Sequence, residues 1–201
     1  MITQWVRKVT RWIVLPIAKV VGKLGVSPNL ITVIGFLLNI GVAYVLSCGH
    51  LRMGGVLVLA AAAFDGLDGT LARELKQSSR FGAFLDSVMD RFSESTVYGG
   101  LLAFYISEQN SELAMLIYAA IIGSLLVSYA RARAEGVGVE CKVGVMTRVE
   151  RVAVLVIGLL TEQMRITLWV LAILANLTAV HRVVHVWRMI GETAPSAAEQ
   201  Q

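Results

Sequence analysis

Four aspartates lie within apolar stretches of this 201-residue chain, where charged side chains are uncommon. Asp65 and Asp68 follow one apolar run, and Asp86 and Asp90 precede the next. A charged side chain near the middle of a membrane helix costs roughly 2.5–3.5 kcal/mol on insertion scales. Four unpaired aspartates would therefore cost on the order of 10–14 kcal/mol. The pattern indicates that something neutralises them.

The spacing of the aspartates indicates what could neutralise them. Asp65 and Asp68 are three residues apart and Asp86 and Asp90 are four apart, so each pair projects from one face of a helix. If the two helices form an antiparallel hairpin, the two pairs face each other. Carboxylate oxygens suit Mg²⁺, Mn²⁺ or Ca²⁺, and two divalent ions would balance the four negative charges. Such a pair of ions stabilises the attacking and leaving oxygens of phosphoryl transfer. Caps or isolated buried ion pairs are the structural alternative, but structural carboxylates are rare in hydrocarbon.

This stretch resembles the CDP-alcohol phosphatidyltransferases, whose signature is D-x-x-D-G-x-x-A-R-(x7 or x8)-G-x-x-x-D-x-x-x-D. The eight matching positions are Asp65, Asp68, Gly69, Ala72, Arg73, Gly82, Asp86 and Asp90. The resemblance implies that Asp65, Asp68 and Asp86 bind metal, as two Mg²⁺ ions with Mn²⁺ as a possible substitute. It also implies that Asp90 lies near the metals and takes the proton of the acceptor hydroxyl.

The donor implied by the resemblance is CDP-diacylglycerol or its archaeal ether analogue, with CMP as the leaving group. Small residues allow a nucleotide to approach a helix closely, and an arginine can pair with phosphate. The family also has a P-N-x-x-T element that helps to hold cytidine. The positions assigned to the donor in this way are Asn29, Thr32, Gly69, Ala72, Arg73 and Gly82. Close helix packing at Gly69 and helix N-capping at Asn29 and Thr32 are the structural alternatives.

A basic segment over 131–151 favours an acceptor that carries its own phosphate, although topology alone also concentrates basic residues on one side of a membrane. Segments 128–135 and 147–151 and the His181-Arg182 pair resemble the phosphatidylinositol-phosphate and archaetidylinositol-phosphate synthase branch of the family. That resemblance implies that three arginines hold the phosphate of inositol phosphate. They are Arg131, Arg151 and Arg182, with Arg133, Lys142 and Arg148 as weaker candidates.

Two other functions remain open at the level of sequence. Glycerol 3-phosphate would also use a basic pocket, and its product would be phosphatidylglycerol phosphate. A cation transporter lined by the aspartates would belong to a different class and would predict discontinuous helices or repeated halves. The transporter leaves Arg73 and its position next to Ala72 unexplained.

Composition predicts one all-α integral membrane domain. The chain is 56 % hydrophobic with only three prolines, and its mean hydropathy is +0.69. The net charge is +4, and the basic residues lie beside apolar segments without an aromatic-rich polar face. This distribution suits anionic lipid headgroups and phosphorylated substrates and argues against nucleic acid.

Apolar periodicity predicts six transmembrane helices preceded by an amphipathic helix at the membrane interface. Residues 1–24 are predicted to form the interfacial helix, 25–190 the six-helix domain and 191–201 a disordered tail. The predicted spans are 31–49, 53–72, 81–106, 113–130, 144–160 and 166–187. The fifth is the weakest because Arg148, Glu150 and Arg151 interrupt its beginning.

The distribution of lysine and arginine predicts the orientation. One side of the six-span arrangement carries most of them, whereas the other carries Arg52 and Arg165. The positive-inside rule then predicts a multi-pass protein of the cell membrane, with both termini and the active site on the cytoplasmic side. Homodimerisation is implied by the family resemblance alone.

Overall fold

The structure, a computed structural model, describes residues 27–74 and 79–193; at 66–74 and 192–193 it describes the backbone alone. The ordered elements in these residues are all helices, which agrees with the predicted class. The six helices are α1 (Pro28–Ser47), α2 (Leu51–Glu74), α3 (Arg80–Ser107), α4 (Ser111–Gly136), α5 (Arg148–Thr161) and α6 (Met164–Thr193). The predicted interfacial helix over 1–24 lies outside the described residues.

Helix α1 begins where its capping residues place it. Ser27 has extended backbone angles, and its hydroxyl accepts a hydrogen bond from the Leu30 N–H at 3.3 Å. Pro28 occupies the first turn, where a missing N–H has no cost. The N-cap is therefore Ser27, so the capping role considered for Asn29 and Thr32 is wrong. Helix α1 starts three residues before the predicted span.

Helix α4 extends six residues beyond its predicted end at residue 130. Alanine and arginine are good helix formers, and Arg131 pairs with Glu135 one turn later at 2.9 Å. Arg131 and Arg133 therefore lie on a helix, and the connection to α5 is 137–147 instead of the 131–143 that the predicted spans leave. Helix α5 begins at Arg148, four residues after its predicted start at residue 144.

Helix α6 continues to Thr193, so residues 191–193 are helical and the prediction of a tail beginning at 191 is wrong for them. The remainder of that predicted tail, residues 194–201, lies outside the described part of the chain.

Three helices in the described residues are long and apolar enough to cross a membrane: α1, α4 and the Met164–Gly191 part of α6. Large apolar side chains on these helices are exposed, including Leu37, Met115 and Ile166. The protein is accordingly an all-helical membrane protein. Helices α2 and α3 have 24 and 28 residues, which is sufficient length, but they carry the aspartates. Helix α5 has 14 residues, about 21 Å, and is shorter than the ~30 Å hydrocarbon core.

The described residues divide into two compact units, the first ending at Phe104 within α3 and the second beginning at Tyr105. In unit 1, α1 packs against α2 and α3. Gly100 of α3 lies directly against the backbone of Ala43, and the rings of Phe36 and Phe92 meet edge-on with centroids 6.1 Å apart. These contacts bury one face of α1 and position the helices that carry the aspartates.

Unit 2 is built around α6, which packs against both α4 and α5. The Asn176 amide donates to the carbonyl oxygen of Ala119 on α4 at 2.9 Å, next to the small residue Gly123. Gly158 of α5 lies directly against Thr167. Close approach through small residues is typical of helices packed in membranes. It leaves α6 in contact with the connection between α4 and α5.

Candidate active site

Asp65 lies on α2 where this helix packs against α1. A methyl group at Gly35 would stand 2.9 Å from Asp65 Oδ1, closer than carbon and oxygen normally approach. Gly35 therefore provides the space into which the carboxylate extends. Sequence reasoning missed Gly35, although Asn29, Thr32 and Gly35 repeat every three residues and so fall near one face of α1.

Asp86 and Asp90 lie one turn apart on α3, and both are half-buried. Asp90 Oδ2 is 3.7 Å from Arg91 Nη1, and Arg91 Nη1 also donates to the Ser87 carbonyl oxygen at 2.5 Å. The Asp90 side chain is 20 % exposed, so water still reaches it. The predicted placement of Asp86 and Asp90 on one helix is confirmed.

The chemistry of the carboxylates suits a hard divalent cation, since all of their ligand atoms are oxygens. Among the side chains that the structure describes, no three Asp, Glu, His or Cys groups lie close enough together to hold an ion. Asp68, the fourth predicted ligand, is not among those side chains. The four carboxylates are chemically suited to a divalent ion, and it stays a prediction that they converge on one site.

Two of the predicted donor-binding residues are neighbours at the beginnings of α1 and α3. A methyl group at Gly82 would stand 3.0 Å from Asn29 Oδ1, and the Gly82 N–H donates to Ser79 Oγ at 2.9 Å. The Thr32 hydroxyl donates to the Pro28 carbonyl oxygen at 3.2 Å. The Asn29 amide side chain and Gly82 therefore lie together where α1 and α3 begin.

The remaining predicted donor and metal positions on α2 belong to the stretch where the backbone alone is described. They are Asp68, Gly69, Ala72 and Arg73. Asp68, Gly69 and Ala72 are helical, as predicted, and the helix also includes Arg73, which lies one residue beyond the predicted span. The arrangement of the four side chains stays a prediction.

In unit 2, two of the three predicted phosphate-binding arginines are almost fully buried. Arg182 is 3 % exposed; its Nε donates to the Val143 carbonyl oxygen at 3.0 Å and its Nη1 to the Val127 carbonyl oxygen at 2.6 Å. Arg151 is 2 % exposed, and its Nη1 donates to the Met146 carbonyl oxygen at 3.0 Å. Both guanidinium groups therefore hold the connection between α4 and α5.

The three arginines lie near enough to one another for their charges to interact. Arg131 and Arg151 are close enough to Arg182 to repel its charge, whereas Glu135 attracts it. Backbone carbonyl oxygens satisfy guanidinium N–H groups but carry no formal charge. An arginine cluster of this kind suits a phosphate group, which several N–H donors can bind together.

The weaker candidates are peripheral to this cluster. Arg133 is exposed on α4 and Arg148 is half-buried at the start of α5. Lys142 is exposed and forms an ion pair with Glu140. The hydrogen bond from Lys142, together with its positive charge, lowers the pKa of the Glu140 carboxyl.

The chain is similar to one enzyme family over most of its length. The family model of the CDP-alcohol phosphatidyltransferases matches residues 25–190. An archaetidylinositol phosphate synthase of Pyrococcus horikoshii is 34 % identical over 173 residues, covering 83 % of this chain and 87 % of the relative. A phosphatidylinositol phosphate synthase of Mycobacterium marinum is 33 % identical over 198 residues, covering 90 % and 84 %.

Solved structures agree with these relatives. A crystal structure of Mycobacterium tuberculosis phosphatidylinositol phosphate synthase with CDP-DAG bound matches with a TM-score of 0.83 and 30 % identity. The match covers 94 % of this chain and 98 % of that one. A crystal structure of the same protein in complex with manganese and citrate matches with a TM-score of 0.82.

Proposed function

Because the chain belongs to the CDP-alcohol phosphatidyltransferase family, we propose that it transfers the phosphatidyl or archaetidyl group of a CDP-lipid to inositol phosphate and releases CMP. It is a divalent-metal-dependent membrane enzyme of phospholipid biosynthesis. The observation that carries the choice of acceptor is the arginine cluster of unit 2, in which Arg151 and Arg182 are almost fully buried and Arg131 is exposed, because a neutral alcohol would not require three guanidinium groups.

The reaction is a substitution at the lipid-linked phosphorus of the donor. An acceptor hydroxyl oxygen forms a bond to this phosphorus, and the bond from phosphorus to the bridging oxygen of CMP breaks. The acceptor proton passes to the Asp90 carboxylate, which later releases it to water. Asp90 is suited to this role because it is half-buried and still 20 % exposed. CMP leaves with the electron pair of the broken bond.

Asp65, Asp68, Asp86 and Asp90 would hold the divalent metal, which we propose to be two Mg²⁺ ions with Mn²⁺ as a substitute. When bound, the metal supplies positive charge that offsets the negative charge developing on the diphosphate. The space at Gly35 supports this assignment, since it lets the Asp65 carboxylate lie against α1. The manganese complex of the Mycobacterium tuberculosis enzyme supports the dependence on a divalent ion.

The donor nucleotide is assigned to unit 1. Asn29 and Gly82 lie together at the beginnings of α1 and α3, and Thr32 is one turn further along α1. We propose that these residues bind the cytidine, with Gly69 and Ala72 leaving room on α2 and Arg73 pairing with phosphate. The crystal structure of the Mycobacterium tuberculosis enzyme with CDP-DAG supports a CDP-lipid as donor.

We also propose the finer membrane arrangement predicted from the sequence. It comprises six spans after an interfacial helix, with both termini and the active site on the cytoplasmic side, and a homodimer. The lengths of α2 and α3 are sufficient for spans, and neutralised aspartates would remove the main cost of inserting them. Cross-linking in native membranes would test the dimer.

The test of the proposed function is CMP release by the purified full chain in detergent with CDP-diacylglycerol and Mg²⁺. Inositol phosphate, glycerol 3-phosphate, free inositol and serine are compared as acceptors, and an ether-linked donor is run in parallel. We expect release with inositol phosphate alone, and a raised KM for it in Arg151→Ala. Release with glycerol 3-phosphate instead would keep the reaction and overturn the acceptor. No release with any pair of substrates would overturn the transferase.

A further inference from the structure

Thr178 and Arg182 lie one turn apart on α6, and both bind the same short stretch of the connection between α4 and α5. The Thr178 side chain is almost fully buried, and its Oγ1 accepts a hydrogen bond from the Met146 N–H at 3.3 Å. Arg182 Nε donates to the Val143 carbonyl oxygen at 3.0 Å. Helix α6 therefore fixes both ends of residues 143–146.

Gly144 lies between these two anchors, directly against Thr178. Its φ is +117°, which L side chains rarely adopt, and a methyl group there would overlap Thr178 Cγ2 and lie 3.6 Å from Arg182 Nε. The connection can therefore lie flat on α6 only with glycine at this position.

Arg151 binds the same stretch from the opposite end. Its Nη1 donates to the Met146 carbonyl oxygen, whereas the Met146 N–H is held by Thr178. The peptide groups of Val143 and Met146 thus connect the two buried guanidinium groups. A shift of this stretch would move Arg151 relative to Arg182.

We propose that Thr178 and Gly144 are positioning residues for the acceptor phosphate. They fix residues 143–146 on α6 and thereby set the separation of the Arg151 and Arg182 guanidinium groups. This inference rests on the proposed function, because it takes those arginines as the phosphate ligands. Neither residue belongs to the aspartate signature or to the set of basic residues.

The test is Thr178→Val, which keeps the shape of the side chain and removes the acceptor of the Met146 N–H. If the Thr178 hydrogen bond positions the arginines, its loss should raise the KM for inositol phosphate about 5–10-fold, which is the effect of losing one buried hydrogen bond. We expect kcat and the KM for CDP-diacylglycerol to stay within about twofold. Thr178→Ser, which keeps the hydroxyl, should restore the KM for inositol phosphate.

The matched control is Thr167→Val. Thr167 is also buried on α6, but its hydroxyl donates to the carbonyl oxygen of Gln163, the residue just before this helix, at 2.9 Å. We expect Thr167→Val to leave the KM for inositol phosphate unchanged. Gly144→Ala should raise that KM at least as much as Thr178→Val, with size-exclusion profiles confirming that each variant is folded.

The outcomes separate this inference from the proposed function. If Arg151→Ala raises the KM for inositol phosphate and Thr178→Val does not, the positioning role is wrong and the acceptor assignment stands. If Thr178→Val raises both substrate KM values equally, or Thr178→Ser fails to restore the wild-type value, the effect is general destabilisation and the inference is wrong. If Arg151→Ala has no effect on the acceptor KM, the assignment of the arginines fails and the inference fails with it.

Discussion

The candidate site residues of the two units carry charges of opposite sign, and the two units accommodate those charges by different means. In unit 1 an aspartate side chain extends into space left by a residue without a side chain, since Gly35 lies beside Asp65 Oδ1. In unit 2 two arginine side chains are enclosed, and backbone carbonyl oxygens accept their N–H groups. Helix packing thus positions the carboxylates, whereas a loop positions the guanidinium groups.

This difference follows from the chemistry of the two groups. A carboxylate has only hydrogen-bond acceptors. Within a helix the backbone N–H groups already donate to the helix's own carbonyl oxygens, so they cannot donate to a carboxylate, and a cation is the partner that suits it. A guanidinium offers five donors, and an irregular connection has free carbonyl oxygens for them. The carboxylates of unit 1 are therefore suited to a metal ion, and the arginines of unit 2 to the phosphate group of an acceptor.

The largest expected effect comes from Asp90→Asn in unit 1, which removes one negative charge and the proton acceptor. General base catalysis typically contributes about 10²–10⁴-fold, so we expect CMP release to fall by that factor. The control is Glu94→Gln, the same change one turn further along α3. If Asp90→Asn released CMP at the wild-type rate, its catalytic role would be wrong; metal uptake surviving in that variant would instead favour the transporter.

The next effect is Gly35→Ala, which tests whether space positions the carboxylate. The added methyl group would displace Asp65 Oδ1, and a misplacement of about 1 Å can cost on the order of 10²-fold in rate. We therefore expect activity to fall by about 10–100-fold. The Mn²⁺ concentration that gives the half-maximal rate should be higher than for wild type. Gly41→Ala is the matched control, because a methyl group there meets no atom within 4 Å. Equal effects at the two glycines would exclude a specific role for Gly35.

A smaller effect is expected from Arg182→Lys in unit 2. Lysine keeps the charge but cannot reproduce the planar donors that reach Val143 and Val127, so the KM for inositol phosphate should rise about tenfold. Arg131→Lys is the matched change at an exposed position that pairs with Glu135, and its effect should stay within about threefold. The reverse order of the two effects would show that burial does not position the phosphate ligands.

The same contrast explains what the sequence predicts well. The aspartate spacing and the apolar runs depend on residues a few positions apart, and the structure places them on helices as predicted. The membrane class follows from composition for the same reason. The side chains of Asp68 and Arg73 lie outside what the structure describes, so their convergence with the other ligands stays a prediction.

Tertiary contacts could not be predicted in this way. Arg131 and Arg133 were expected in a connection because they are charged, yet the local alanines and the pair with Glu135 extend α4 through them. Gly144 and Thr178 are 34 residues apart, and nothing in either local pattern connects them. Their contact appears only when the connection lies on α6, which is why the residues that position the arginines were missed.

The smallest expected effect concerns the ion pair on the same connection. The hydrogen bond and charge of Lys142 lower the pKa of Glu140 below its unfolded value. The ionised pair therefore contributes stability that is present above the unfolded pKa and is lost as pH falls through the folded pKa. The pair is fully exposed, so salt screens it and its contribution is small. We expect the thermal midpoint of Glu140→Gln to lie slightly below wild type near pH 7 and to match it at about pH 3.

The kinetic constants of Glu140→Gln should be those of wild type, because the buried hydrogen bonds of Arg151, Thr178 and Arg182 hold the connection without the Glu140–Lys142 pair. A raised KM for inositol phosphate in Glu140→Gln would mean that surface charge, and not the buried contacts, sets the position of residues 143–146. A stability difference that grew on acidification would contradict the direction of the pKa shift. Either result would contradict the view that buried hydrogen bonds, and not the exposed ion pair, position the connection between α4 and α5. The contrast between the two units depends on that view.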